Sequence, residues 1–204
     1  DAHQPAGLET GAAQDLGIDL GRVGVDGRDH AALAALLDEQ QRLADLEPEW
    51  IGVCLDACHL AVQFEEPDAA VAALGAAGVP IVKAQVSSAL RVSSPRSRAS
   101  ATRLEAFAEP RFLHQTRECR AGIVTGVDDL GDAMAGGLPG DGEWRVHFHV
   151  PVFRKALGRL CSSRDFIETA LARHRDRPLC EHLEVETYTW DVLPDHLKTG
   201  DIVD

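Results

Sequence analysis

The stretch Trp144-Arg145-Val146-His147-Phe148-His149-Val150 alternates polar and apolar side chains, and its reading decides the fold. Successive side chains of an extended chain point to opposite faces, so Arg145, His147 and His149 share one face while Val146, Phe148 and Val150 share the other. Two more segments follow the same rule. In Val82 to Ser87 the polar set is Lys83, Gln85 and Ser87, and in His182 to Tyr188 it is His182, Glu184, Glu186 and Tyr188. A parallel sheet sandwiched between helices would be apolar on both faces. Strands with one apolar and one polar face instead predict a closed barrel with helices outside. The polar side chains then converge inside, towards the C-terminal mouth where such barrels keep their active sites.

Working outward, short apolar strands alternate with amphipathic helices from residue 48 onward, the pattern of βαβ units. Leu33, Leu36, Leu37, Leu43 and Leu46 predict a helix over 30–46, and Trp50 to Asp56 reads as a buried strand. Pro67, the alanine-rich run 69–77 and Gly78 supply start, body and stop of a helix, followed by a strand over 79–88. Residues 91–100 read as a loop and 101–119 as partly helical. The segment from Gly126 to Gly142 holds six glycines; without a strand–GxxxxGK[ST]–helix context, turns explain them better than a phosphate cradle. A strand over 144–153, a capping box at Ser162-Ser-Arg-Asp165 opening a helix to His174, and a strand over 181–190 complete the reading. The expected architecture is α/β: one domain over 1–204, the C-terminal part of a (β/α)8 TIM barrel with about four parallel strands and flanking helices. A chain that opens without Met and closes on Asp201-Ile-Val-Asp204 is expected to be a piece of a longer protein, with exposed sheet edges that favour oligomers.

Twenty Lys and Arg against 33 Asp and Glu leave a net charge of −13, which argues against nucleic acid and anionic membranes as partners. No apolar run reaches the roughly 18 residues that span a bilayer, and the amino end has no signal-peptide pattern, so a cytoplasmic location is expected. Five cysteines, an odd number, suit reduced thiols better than a disulfide framework.

Asp56 closes a strand and His59 follows three residues later; with His147, His149 and Glu186 they bring carboxylate and imidazole groups to neighbouring strand ends. That combination suits a divalent ion such as Zn, Mn or Mg. Glu186, His59 and Lys83 are the candidate catalytic residues. Gln85, Arg145 and Tyr188 on the polar faces, with Arg91 in the loop beyond a strand, are the candidate substrate contacts; Arg96 and Arg98 read equally as anion contacts or solvated side chains. His114, His174, His182 and His196 read as structural or exposed, and Cys54 and Cys58 as packing residues, because their spacing across a strand end is poor for a zinc pair.

The segment Ile51-Gly-Val-Cys-Leu-Asp-Ala-Cys-His59 resembles the Asp-x-x-His strand end of the xylose-isomerase-like TIM-barrel superfamily, which includes endonuclease IV and many sugar isomerases and epimerases. Val82 to Leu90, Trp144 to Pro151 and His182 to Trp190 look like the EboE-type metabolite traffic proteins of that superfamily. The resemblance implies Asp56 as a metal ligand, His59 as a second ligand or substrate contact, and Glu186 as a ligand that also moves a proton. Gln85 stands where the superfamily usually has a metal-binding His, and His147 and His149 can restore a nitrogen ligand. The expected activity is metal-dependent isomerisation or epimerisation of a small sugar-like or polyol metabolite. The alternatives are a metabolite-binding traffic protein without turnover and an endonuclease IV-like phosphodiesterase, the latter disfavoured by the charge.

Overall fold

Two sheets carry the strands. The computed structural model describes residues 24–25 and 52–198; the helix expected over 30–46 and the start of the strand expected from Trp50 lie outside them. The smaller sheet is parallel and holds β2 (Val53–Asp56), β3 (Ile81–Val86) and β10 (His182–Val185) in the order β10-β3-β2. The larger holds β1 (Gly24–Val25), β4 (Leu90–Val92), β5 (Thr116–Arg120), β6 (Ile123–Val127), β7 (Glu143–Val146), β8 (Ala156–Leu157) and β9 (Leu160–Ser162). Its order is β1-β6-β5-β7-β4-β9-β8, and every pair except β1-β6 is antiparallel.

This corrects the barrel expectation. Parity states which side chains share a face, but it does not state what covers that face. Val146, Phe148 and Val150 do lie together, fully buried, in a core with Leu90, Val92, Leu104, Phe107 and Trp144. The polar face of β7 is covered instead by α1 (Ala57–Val62), where the Arg145 guanidinium donates to the Ala61 carbonyl at 2.8 Å. An antiparallel sheet accommodates one apolar and one polar face without closing on itself. Only β2, β3 and β10 keep the parallel pairing, with Asp56 and Glu184 both in register with Gln85.

The helices follow local signals. Asp56 caps α1; Pro67 opens α2 (Pro67–Ala76); the Ser97 hydroxyl accepts from the Ser100 amide at the start of α3 (Arg98–Leu104). In α4 (Arg164–Asp176) Asp165 sits in the first turn, and Arg173, His174 and Arg175 in the last, as the helix dipole favours. Its expected capping box from Ser162 to Asp165 does not form: the helix is capped one residue later at Ser163, the Ser162 hydroxyl donates to the Arg154 carbonyl at 2.5 Å, and the Ser163 hydroxyl accepts from the Ala89 amide at 2.8 Å. Leu55, Ala84 and Val86 of the parallel sheet share an apolar cavity with Val71 of α2 and Phe166 of α4.

Two of the segments that depart from expectation do so for identifiable reasons. β5 and β6 form a hairpin whose turn residues Ala121 and Gly122 have φ of 51° and 80°, the conformation of a twist-matched two-residue loop. The glycine-rich segment wraps a carboxylate of the chain itself: Glu118 accepts from the amides of Gly140, Asp141 and Gly142 at 2.7, 2.8 and 2.7 Å, and from the Trp144 indole at 3.0 Å. A Cβ on Gly142 would stand 2.1 Å from the Cys119 carbonyl oxygen, so only glycine fits there.

Candidate metal centre

Residues 87–89 carry the chain from β3 of one sheet into β4 of the other, and the strands around that crossing end at one place. The turn from β2 into α1 leaves Asp56 extended, with φ −98° and ψ 120°. Its Oδ1 accepts from the Cys58 amide at 2.7 Å, the His59 amide at 3.2 Å and the Ser87 hydroxyl at 2.5 Å. Three donors on one oxygen orient the carboxylate and leave the other oxygen for a ligand. The buried Ser87 hydroxyl also accepts from the Cys58 amide at 2.9 Å, which ties α1 to the end of β3.

The strand expected over 144–153 ends at Val146: the Phe148 amide turns back to the Val146 carbonyl at 2.8 Å, and longer-range backbone bonds hold the segment beyond. The His147 amide donates to the Gln115 carbonyl at 2.8 Å, and the Val150 amide to the Ser88 carbonyl at 2.9 Å. The His147 carbonyl accepts from His114 Nδ1 at 3.0 Å and from the Tyr188 hydroxyl at 3.4 Å, and the His149 carbonyl from the Thr189 hydroxyl at 2.5 Å. Past β10, the Glu186 amide donates to the Val86 carbonyl at 3.2 Å.

The result is a cluster of five potential ligands. One ligand atom each from Asp56, His149 and Glu186 lies within 4.8 Å of the others, and the same holds for Cys58, His147 and His149. His149 Nδ1 is 3.8 Å from a Glu186 carboxylate oxygen. Both ring nitrogens of His149 and Nε2 of His147 are buried without a hydrogen-bond partner. Such groups are rare in folded proteins, since each costs about 1–3 kcal/mol unless something satisfies it.

Electrostatics leave His147, His149 and Asp56 in the forms that bind a cation, and hold Glu186 and Cys58 towards their protonated forms. Burial, reinforced by the charges of His59 and His149, pushes the His147 pKa down to about 3, and burial brings His149 to about 4, so both imidazoles are neutral at neutral pH. Burial pushes Asp56 upward, but the Ser87 hydroxyl, His59 and His149 outweigh it and hold the carboxyl below its usual range. Glu186 moves the other way, raised by burial and by Asp56 beside it. Burial and the two carboxylates also raise the Cys58 thiol, and burial raises the Tyr188 phenol.

The structure thus brings together Asp56, His147, His149 and Glu186, and adds Cys58, which sequence spacing had assigned to packing. His59 is exposed, stacking its ring 4.2 Å from that of His147, and falls outside both ligand groups. Tyr188 packs its ring 4.5 Å from that of His149. Gln85 lies half-buried in central β3. Lys83 is ion-paired with Glu184, Arg91 with Glu143 and Asp165, and Arg145 with Glu143 beneath the Phe64 ring. Arg91 and Arg117 both oppose Arg145 in register, and the Glu143 carboxylate binds Arg91 and Arg145 of that row. Arg96 is paired with Asp141. Ser87 and Thr189, which fix Asp56 and His149, had no motif to announce them; their only signal was a hydroxyl near a strand end.

The chain matches no protein-family model, no curated protein and no solved structure. Among the described residues no helix is long and apolar enough to cross a membrane.

Proposed function

We propose that this chain binds a divalent metal ion at the strand-end cluster and catalyses isomerisation or epimerisation of a small hydroxylated carbonyl metabolite. The observation that carries the reading is the convergence of three orphaned imidazole nitrogens with the carboxylates of Asp56 and Glu186. A bound ion would polarise a carbonyl and its neighbouring hydroxyl. Asp56, His149 and Glu186 would hold it, with Ser87 and the α1 amides fixing the Asp56 carboxylate. Glu186, whose side chain is 30% exposed, is the carboxylate open to a substrate and is assigned the proton transfer at the adjacent carbon. Tyr188 and His59 flank the cluster, their rings 4.5 Å from that of His149 and 4.2 Å from that of His147. The likeness of Asp56-x-x-His59 to the strand end of sugar isomerases agrees with this chemistry, and the charge of −13 weighs against a phosphodiester backbone as substrate.

The test is metal analysis of the purified chain, then turnover of a ketose and aldose panel with and without chelator. Chelation is expected to abolish turnover, and Glu186→Gln to lower it by about 100-fold or more. Turnover that survives both would overturn the assignment. Stoichiometric capture of a sugar without conversion would replace it with a binding role.

A further inference from the structure

Taking the cluster as a metal centre, we propose that its ion is held through a thiolate, with Cys58, His147 and His149 forming a nitrogen and sulfur seat that selects a zinc-class ion over magnesium. Cys58 is 0% exposed and occupies the second position of α1. Its amide is gripped by Asp56 Oδ1 and the Ser87 hydroxyl, so the side chain has a fixed origin. From there its Sγ lies within 4.8 Å of a nitrogen of each histidine. In a tetrahedral zinc site with ligands at about 2.0–2.3 Å, neighbouring ligand atoms stand about 3.5 Å apart, so side-chain movements of about 1 Å close the set.

A second observation points to a ligand independently of the cysteine. His149 is 1% exposed, and neither of its ring nitrogens has a partner. The two triads share this histidine and differ in depth. Cys58 and His149 are buried, whereas His147, Asp56 and Glu186 are half-buried. The thiol and the shared imidazole are therefore the innermost donors, and His147 and the two carboxylates surround them. Thiolate and imidazole favour zinc and its borderline-soft neighbours, whereas magnesium prefers oxygen ligands and retains its waters. Binding replaces the S–H bond of Cys58 by a metal–sulfur bond and releases the proton to solvent, with no change of oxidation state.

Anaerobic titration of the full chain with Co2+ tests this. The expected result is a sulfur-to-cobalt charge-transfer band in the near ultraviolet, alongside visible ligand-field bands, saturating together. Cys58→Ser is expected to lose the charge-transfer band, keep the visible bands, and weaken Co2+ binding by more than about tenfold, the lower bound for losing even an outer-shell partner. Zinc-edge X-ray absorption on the unmodified chain reads the same feature without a variant, with a sulfur neighbour expected at about 2.3 Å. Visible bands without a charge-transfer band, or one that survives Cys58→Ser, would overturn the thiolate assignment while leaving the metal centre standing. No Co2+ binding at all would overturn both.

Discussion

The glycine-rich wrap around Glu118 and the strand-end cluster around His149 bury polar groups to the same depth and treat them in opposite ways. Glu118 is 1% exposed and accepts four hydrogen bonds, so its charge is fully engaged by the chain. His149 is 1% exposed and its ring nitrogens make no hydrogen bond, although Glu186 stands 3.8 Å away and Tyr188 packs on the ring. A third residue sharpens the contrast: His114, also fully buried, uses both ring nitrogens, one on the His147 carbonyl and the other on Glu109 at 2.9 Å. Burial alone therefore says little about function. Satisfied burial builds the fold, whereas unsatisfied burial among other donor atoms marks a place kept for a ligand.

The largest expected effect comes from breaking the satisfied region. Glu118→Ala strands three backbone amides and an indole N–H, and is expected to cost about 4 kcal/mol or more in urea unfolding. If the variant loses less than 1 kcal/mol, the wrap is not structural and the comparison fails on that side.

Acid separates the two regions next. The imidazoles of His147 and His149 are held neutral in the fold, with pKa values of about 3 and about 4 against 6.5 unfolded. The unfolded chain takes up protons first, so their contribution is intact above pH 6.5 and is lost as pH falls through 6.5 towards 4. Between pH 7 and 5 this is worth on the order of 2 kcal/mol for each imidazole. Glu118 is depressed: burial raises it, but the Gly140 amide, the Trp144 indole and the Gly142 and Asp141 amides outweigh that. Its contribution is present above the ordinary glutamate range and fades only below about 4.5. Denaturant midpoints should therefore fall between pH 7 and 5 in the unmodified chain and fall markedly less in His149→Leu. Equal slopes in the two proteins would remove the distinction.

The smallest effect is the most telling about sign. His149→Leu removes two unpaired nitrogens at similar volume, and is expected to leave the metal-free chain unchanged or about 1 kcal/mol more stable. A loss of 3 kcal/mol or more would mean that the ring has partners and builds the fold as His114 does.

Part of the candidate site was legible in the sequence because strand ends survive a wrong topology: Asp56 ends β2 and Glu186 directly follows β10. The strand expected over 144–153 stops at Val146, so His147 and His149 reach the cluster from a segment past the sheet. The closure was not legible, because the local alternation of β7 is the same whether helices surround a barrel or α1 caps an antiparallel sheet. Pairing direction was hidden by turn chemistry: Ala121-Gly122 is a weak hairpin signal beside Asn-Gly, so Thr116 to Val127 went unread as two strands. Likewise Leu90 to Val92, a strand, falls at the edge of a segment rich in serine and arginine that reads as loop. Cys58 does pack, in a cluster with Ala61, Val62 and Ala89, and its nearness to His147 and His149, 89 and 91 positions further on, is a tertiary contact that local spacing does not carry.

Calorimetric titration of Zn2+ into the metal-stripped chain bears on the cluster most directly. The expected result is saturable binding of one ion with proton release, lost in His149→Leu while the circular dichroism of that variant stays native. Heat no greater than dilution, or binding undiminished by His149→Leu, would contradict a metal centre at Asp56, Cys58, His147, His149 and Glu186.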